Sequence, residues 1–582
     1  MAKGMTIAKS ALAALTLTGT LSAFAVTASA APSSSSGSFS MYIIGDKRGF
    51  SPDIYTWSLY ADSLGIFEGL VHNSDKGVVP GIATSWSTSK NGKVWTFHLR
   101  HNAKFSNGDA VTAQDFVFGF QQAFNPNTAV KDGGGMDATA FLPVVNGVEV
   151  AAGTKSPSTL GVKAVNNYTF QIMLTRKDPT LIQDLTLPAM GWAVPLDPKV
   201  VNSMSATDWT TPSKIVSDGP YMVSSFTPNT SATLVPNPYY FNKVKLKKIT
   251  LNYTASSTGL VDFENGALDM AIINPSDIKA VDSNPTLKSE LHFFPTAAQY
   301  TLDVAPSQNN ALLNPLVRKA LMMSINRDLI SKDVLQGTGT PAYDYMTPTW
   351  LDPWIKKNAI PYNPTEAKAL LAQAGYPGGK GFPTLSINVG VGSTPDLVAE
   401  AIQQMWQQNL GITVKYNGMP ASQFYSTYNN PITSGVAFRQ NASNVVYPQL
   451  ELPTSVVAFL NTGVGQDWTA PYLPMNIYTQ WQKVIANKSM PPKLQQEQAA
   501  NILIHNLPKS ILQWIRLGVK AYNTNNTALM KQFFYMQEEQ VFDLPIYTPL
   551  QPVLIRSNVH GYKANSFLLT TPPVWFNDIT VS

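Results

Sequence analysis

A chain of 582 residues is longer than one hydrophobic core organises, so at least two lobes are expected. With 44% hydrophobic and 13% charged residues the chain is not largely disordered, and a formal net charge of +5 without a concentrated lysine or arginine run offers no stripe for nucleic acid. The absence of cysteine excludes disulfides, thiolate metal sites and a Cys nucleophile, and a freely diffusing form is expected rather than one held by a lipidated cysteine.

Residues 1–30 read as a secretory signal: Lys3 and Lys9 supply the positive start, residues 11–26 the apolar stretch, and Ala28-Ser29-Ala30 a small-residue cleavage site, with cleavage before Ala31. An uncleaved anchor is the alternative. No later stretch reaches the ~18 consecutive apolar residues of a membrane span, so no stable membrane insertion is expected. Residues 31–40, with four consecutive serines, read as a flexible linker.

Residues 94–100 alternate, placing Trp95, Phe97 and Leu99 on one face of a half-buried strand, and Asn107-Gly108-Asp109 marks a turn. Thr112 with Asp115 three positions on reads as a capping box, and Phe116, Phe120 and Phe124 form one stripe of a helix that stops at Asn125-Pro126. Asn314-Pro315 supplies an N-cap and first-turn proline for a helix carrying Val317, Leu321 and Ile325. Asn363-Pro364 repeats the device before Ala367, Leu370, Leu371 and Ala374, and Gly375 fits the residue after the C-cap. A strand over 385–391, a helix over 396–409 and a strand over 411–416 follow, an alternation that predicts an α/β lobe.

The six histidines are scattered, and His98 and His101, placed on a predicted strand at odd spacing, make a poor chelate. No nucleophile elbow, phosphate loop or dinucleotide fingerprint is present, and the Ser-x-x-Lys matches at Ser87 and Ser276 lack companion motifs. No catalytic residue, metal site or cofactor is nominated.

One block is specific: Pro80-Gly81-Ile82-Ala83-Thr84-Ser85-Trp86, then Trp95-Thr96-Phe97-His98-Leu99-Arg100 through Phe105-Ser106-Asn107-Gly108, then Val111-Thr112-Ala113-Gln114-Asp115. It resembles the signature of the family 5 extracytoplasmic solute-binding proteins, those of oligopeptides, dipeptides and nickel. Ile66-Phe67-Glu68-Gly69, Ser217-Asp218-Gly219-Pro220-Tyr221, Gly266-Ala267-Leu268-Asp269-Met270 and Asn314-Pro315-Leu316-Val317-Arg318 are similar to later motifs in the same order.

The resemblance implies an α/β fold of the periplasmic binding protein type II class: two hinged lobes with an additional inserted domain. The expected division is lobe I over 41–78, 215–302 and the return segment 547–582, the inserted domain II over 79–214, and lobe III over 303–546. It further implies an exported, monomeric receptor, periplasmic or else secreted or surface-associated, that closes on a peptide-like ligand and delivers it to an ABC permease complex, with no enzymatic step. Implied ligand-binding residues are Phe50, Arg439, Asn444, Val446 and Tyr547. Phe50 and Asn444 belong to segments whose backbone pairs with peptide, and Arg439 resembles an arginine that meets the ligand carboxylate. Val446 stands where the oligopeptide branch places an aspartate for the peptide α-amine; Glu451 is the nearby alternative acid. A nonpeptide solute, an oligosaccharide or metal chelate, is the alternative within this fold; a secreted hydrolase and a surface adhesin are the readings outside it.

Overall fold

The computed structural model describes residues 37–42, 65–74, 77–127, 143–178, 181–186, 193–204, 208–228, 230–253, 259–296, 299–306, 309–343, 358–391, 394–420, 422–424, 435–441, 472–487, 489–524, 526–541, 543–562 and 576–582. The first strand, β1, is Ser38–Tyr42, with Phe39 and Met41 enclosed in the core. Residues 38–40, expected to finish a linker, are therefore strand. The serine run hid an alternation in which Phe39 and Met41 go inward while the Ser40 hydroxyl donates to the Asp269 carboxylate at 2.8 Å.

β2 (Val71–Ser74) and β3 (Gly77–Pro80) form a hairpin leading to an antiparallel sheet of β4 (Ala83–Thr88), β5 (Val94–Leu99), β6 (Val162–Asn166) and β7 (Thr169–Met173) in the order β4-β5-β7-β6. Trp95, Phe97 and Leu99 face its core, as the alternation requires. Helix α1 (Ala113–Phe124) covers that face, its Phe116 and Phe120 rings 5.6 and 5.5 Å from Phe170. Each such ring contributes about 1.5–3 kcal/mol through burial. The Asp115 carboxylate starts the helix by accepting from the Thr112 N–H at 2.7 Å and its hydroxyl at 2.8 Å, and Asn125 ends it. His101 lies beyond the end of β5 rather than on it, stacked on Tyr168 at 4.0 Å.

A buried polar junction joins this unit to the sheet that contains β1. Glu68, 1% exposed, accepts from the Tyr240 hydroxyl at 2.8 Å and lies 3.1 Å from His72 Nδ1, while its own N–H donates to Asp218 Oδ1 at 3.1 Å. Gly219 donates to the Ile66 carbonyl at 2.7 Å, and a Cβ at Gly219 would meet Ile66 and Phe67 backbone atoms at 2.4–2.6 Å. Glycine is required there by the close approach of two backbones.

β8 (Tyr221–Thr227), β9 (Ser231–Pro236), β10 (Lys248–Asn252), β11 (Met270–Ile272) and β12 (Leu291–Pro295) continue this half of the molecule; β1 runs parallel to both β10 and β11. The other half contains β13 (Gln299–Ala305), β14 (Gly339–Pro341), β15 (Leu385–Gly390), β16 (Val414–Met419) and β17 (Gly435–Asn441), with β15 parallel to β16 and β17. Its helices α2 (Pro315–Met323) and α3 (Pro364–Gln373) begin at Asn314 and Asn363, whose side chains accept from the Leu316 and Glu366 N–H groups. Gly375 follows α3 at φ +100°, and Ile325, though buried, lies past the end of α2. Helix α4 (Thr394–Leu410) comes next, then α5 (Met475–Ile485), α6 (Pro492–Asn506), α7 (Lys509–Thr524) and α8 (Thr527–Gln540), which pack around Trp514 and Phe533. Arg318 of α2 ties this bundle down: its guanidinium donates to the carbonyls of Gln540 and Val541 at the negative end of α8 and to those of Leu312 and Leu313.

One strand belongs to both halves. β18 (Asp543–Ile555) pairs with β13 and β14 through its first part and with β12 and β11 through its second, so a continuous sheet runs β16-β15-β17-β13-β18-β11-β1-β10-β9-β8. Pro545, Pro549 and Pro552 interrupt its donor row. The change of partners accommodates them, because the carbonyls of Pro549 and Pro552 still accept, from Thr296 and Ile273.

Candidate functional site

A cavity of about 770 Å³ opens between the halves beside β18. Its walls follow from topology, since a parallel strand leaves the crevice at its carboxyl end open for ligand. Tyr42 closes β1, Ile272 closes β11 and is followed by Asn274-Pro275-Ser276, and α4 starts just after the end of β15 and contributes Thr394, Pro395, Asp396 and Leu397. The floor is Tyr547 with Pro549, Leu550, Gln551 and Pro552 of β18, and Tyr300 of β13 stands beside it.

The Tyr300 and Tyr547 rings stack at 4.7 Å and 17°. Tyr547 is 1% exposed, and burial pushes its phenol well above the ordinary tyrosine range, with Tyr300 adding to the shift. It is a neutral hydroxyl at physiological pH, able to orient a ligand by hydrogen bonding but not to serve as a base. Alongside β18, Gln336 sits at φ +49° next to Gly337 at +84°, a left-handed turn closed by the Thr338 N–H on the Leu335 carbonyl at 2.8 Å. A side chain held in that conformation costs roughly 1–2 kcal/mol, a strain found on the cavity wall rather than at a remote loop.

Of the residues the sequence nominated, Tyr547 lies on the cavity. Arg439 is on β17, its backbone opposite Thr301 and one position from the partner of Tyr300. Phe50, Asn444 and Val446, with Glu451, lie outside the described residues. Tyr42, Tyr300, Gln336 and Asp396 were not nominated; the start of α4 was legible, but nothing local told that its first turn faces a cleft. Tyr416 of β16 donates its hydroxyl to Asp396 Oδ1, and its phenol is pushed up to about 12, first by burial and then by that bond. Among the described residues no group of three or more His, Cys, Asp or Glu is placed to hold a metal ion, and no helix is long and apolar enough to cross a membrane.

The family profile described as "Bacterial extracellular solute-binding proteins, family 5 Middle" matches residues 77–447, well over half of the chain. The periplasmic oligopeptide-binding protein OppA of Salmonella typhimurium is 30% identical over 374 residues, which cover 62% of this chain and 66% of that protein, just short of two thirds of its length. The periplasmic murein peptide-binding protein MppA of Escherichia coli is likewise 30% identical, over 380 residues, with 62% and 66% covered. Haemophilus influenzae OppA, solved in complex with the peptide RPPGFSPFR, superposes with a TM-score of 0.65 at 23% identity over 94% of this chain and 99% of its own. The fold is thus the type II periplasmic binding architecture, and the chain belongs to family 5 of the bacterial extracellular solute-binding proteins.

Proposed function

We propose that the protein is an extracytoplasmic receptor that captures oligopeptides or modified peptides by hinge closure and hands them unchanged to an ABC import permease. The observation that carries this reading is the cavity beside β18: it lies where one strand joins two halves, so movement about that strand opens or closes it on a ligand. Family membership and the two peptide-binding relatives support the choice of ligand class. In this reading the lobes follow the division given above, with 79–214 inserted, the leader is removed before Ala31, and the protein works as a periplasmic monomer without catalysis. Tyr547 forms the floor of the binding site, Arg439 takes the ligand carboxylate, and Phe50 and Asn444 lie along the peptide backbone.

Val446 favours a second reading. A valine cannot neutralise an ammonium, and an unpaired buried charge would cost several kcal/mol, roughly, so the site is also open to a nonpeptide solute such as an oligosaccharide or metal chelate. Thermal unfolding with panels of peptides, sugars and metal chelates separates the two. Peptides at about 100 times their Kd should stabilise the protein by about 2.7 kcal/mol and be recovered intact. Arg439→Ala should weaken peptides with a free carboxylate and spare amidated ones. Stabilisation by sugars or chelates alone would transfer the protein to the second reading, and recovery of cleaved peptide would make it a hydrolase.

A further inference from the structure

We infer that Gln336 is a specificity-determining residue of the cleft, whose carboxamide hydrogen-bonds a peptide group of the ligand. The inference rests on the peptide reading above and adds to it a residue that reads the ligand's backbone.

Among the described residues, three other than glycine take the left-handed conformation: Asn146 at φ +62°, Gln336 at +49° and Val541 at +51°. Two of them have a reason within the fold. The Asn146 side chain donates to the Thr159 carbonyl at 2.7 Å and accepts from Lys155 Nζ at 2.6 Å, and Val541 is 3% exposed, packed in the core. Gln336 has neither reason: it is exposed on the cavity wall, and its side chain makes no hydrogen bond among the described residues.

The turn itself does not call for a glutamine. Ile330–Val334 is a single π-helical turn, closed by the Leu335 N–H on the Ile330 carbonyl at 2.9 Å and followed by the Gly337 N–H on the Ser331 carbonyl at 3.2 Å. A helix ended by such bonds takes a left-handed residue just past its last turn, and glycine supplies it without strain. Gly375 does so after α3 and Gly411 after α4. At 336 the backbone favours the same residue, yet a long amide stands there. A side chain kept against conformational strain, with no partner in the free protein, points to a partner that arrives.

The amide is also held in place by bonds that do not involve it. The Ser331 and Thr338 hydroxyls donate to the carbonyls of Gly339 and Leu335 at 2.5 and 2.6 Å, and the Leu550 N–H of β18 donates to the Thr338 carbonyl at 2.9 Å. The turn is thereby fixed to the strand shared by the two halves. Gln336 presents from it both a donor and an acceptor, the complement of a peptide group.

Tri-, tetra- and pentaalanine, each with a free and with an acetylated amine, serve as probes in isothermal titration, and the tightest binder is carried forward. Gln336→Met keeps the length and the left-handed strain but removes the amide; Gln336→Gly removes both. Each variant should bind about five-fold or more weakly, the net worth of one hydrogen bond. Their urea midpoints should part, with Gln336→Met at the wild-type value and Gln336→Gly above it. Ester analogues of the peptide, made one amide at a time, test the bond itself. One ester should cost the wild type about five-fold or more and cost Gln336→Met less than about two-fold, a coupling that a structural role for Gln336 would not produce.

Variants that bind within about two-fold of the wild type, or esters that cost Gln336→Met as much as the wild type, would overturn the inference while leaving the peptide reading in place. A lowered urea midpoint in Gln336→Met would give the side chain a structural role and overturn it as well. Failure of the wild type to bind any of these peptides would remove the peptide reading and this inference with it.

Discussion

Asp218 is a carboxylic acid placed where a carboxylate is costly. It is enclosed on all sides, Oδ1 accepts the Glu68 N–H, and Oδ2 has no hydrogen-bond partner among the described residues. Burial, with the charges of Glu68 and Asp115 adding to it, holds its pKa well above the usual carboxylate range. In the unfolded chain the group ionises near pH 4, roughly. Between that value and its folded pKa the unfolded state releases a proton that the folded state retains, so the stability this group contributes is fully present below about pH 4 and is lost as pH rises. Asp218→Asn keeps an acceptor for the Glu68 N–H and removes the titration. Its urea midpoint should therefore gain on the wild type as pH goes from 4 to 7, and parallel curves for the two proteins would mean that Asp218 is ionised in the fold. None of this was legible locally: Ser217-Asp218-Gly219-Pro220-Tyr221 was readable as a motif, but the burial of its acid depends on Glu68, 150 positions away. The same holds for the cleft, where Tyr547 was reached only through the family resemblance, while Tyr42, Tyr300 and Asp396 come together from ends of elements remote in sequence.

Helix starts were legible because capping is a local matter. At both Asn314 and Asn363 the asparagine oxygen takes an N–H of the first turn, and a proline follows that has no N–H to satisfy. Asn363→Ala should lower stability by about 1 kcal/mol through the lost acceptor for the Glu366 N–H, measured as a shift in the denaturant midpoint at unchanged slope. The side chain is partly exposed, so water replaces part of the bond; a loss above about 2 kcal/mol would point to a packing role instead. β18 was illegible as a single strand for the opposite reason. Three prolines in 13 residues argue locally against a central strand, and only the change of partners along its length makes the element possible. β1 was partly mistaken for linker because five residues are too few for their alternation to stand out behind a run of serines.

At the scale of the whole molecule the two halves are linked where β12 leads into β13 and where β18 passes between them. These crossings are stitched together, since the Thr296 N–H and hydroxyl both donate to the Pro549 carbonyl, at 3.3 and 3.0 Å. A hinge built on two adjacent strands allows bending about one axis and resists shear, which is the motion that opens a cleft. Ligand can close it only through contacts absent from the open form; moving an equilibrium from 1:99 to 99:1 takes a preference of about 10⁴-fold, or about 5.5 kcal/mol. Small-angle scattering should therefore record a fall in radius of gyration toward the value of about 25 Å expected for a compact chain of this length as peptide is added. The titration curve should match that from calorimetry. A radius that never changes with a ligand bound tightly would mean that the cavity is rigid, and the account of β18 as a hinge would fail even with the binding site intact.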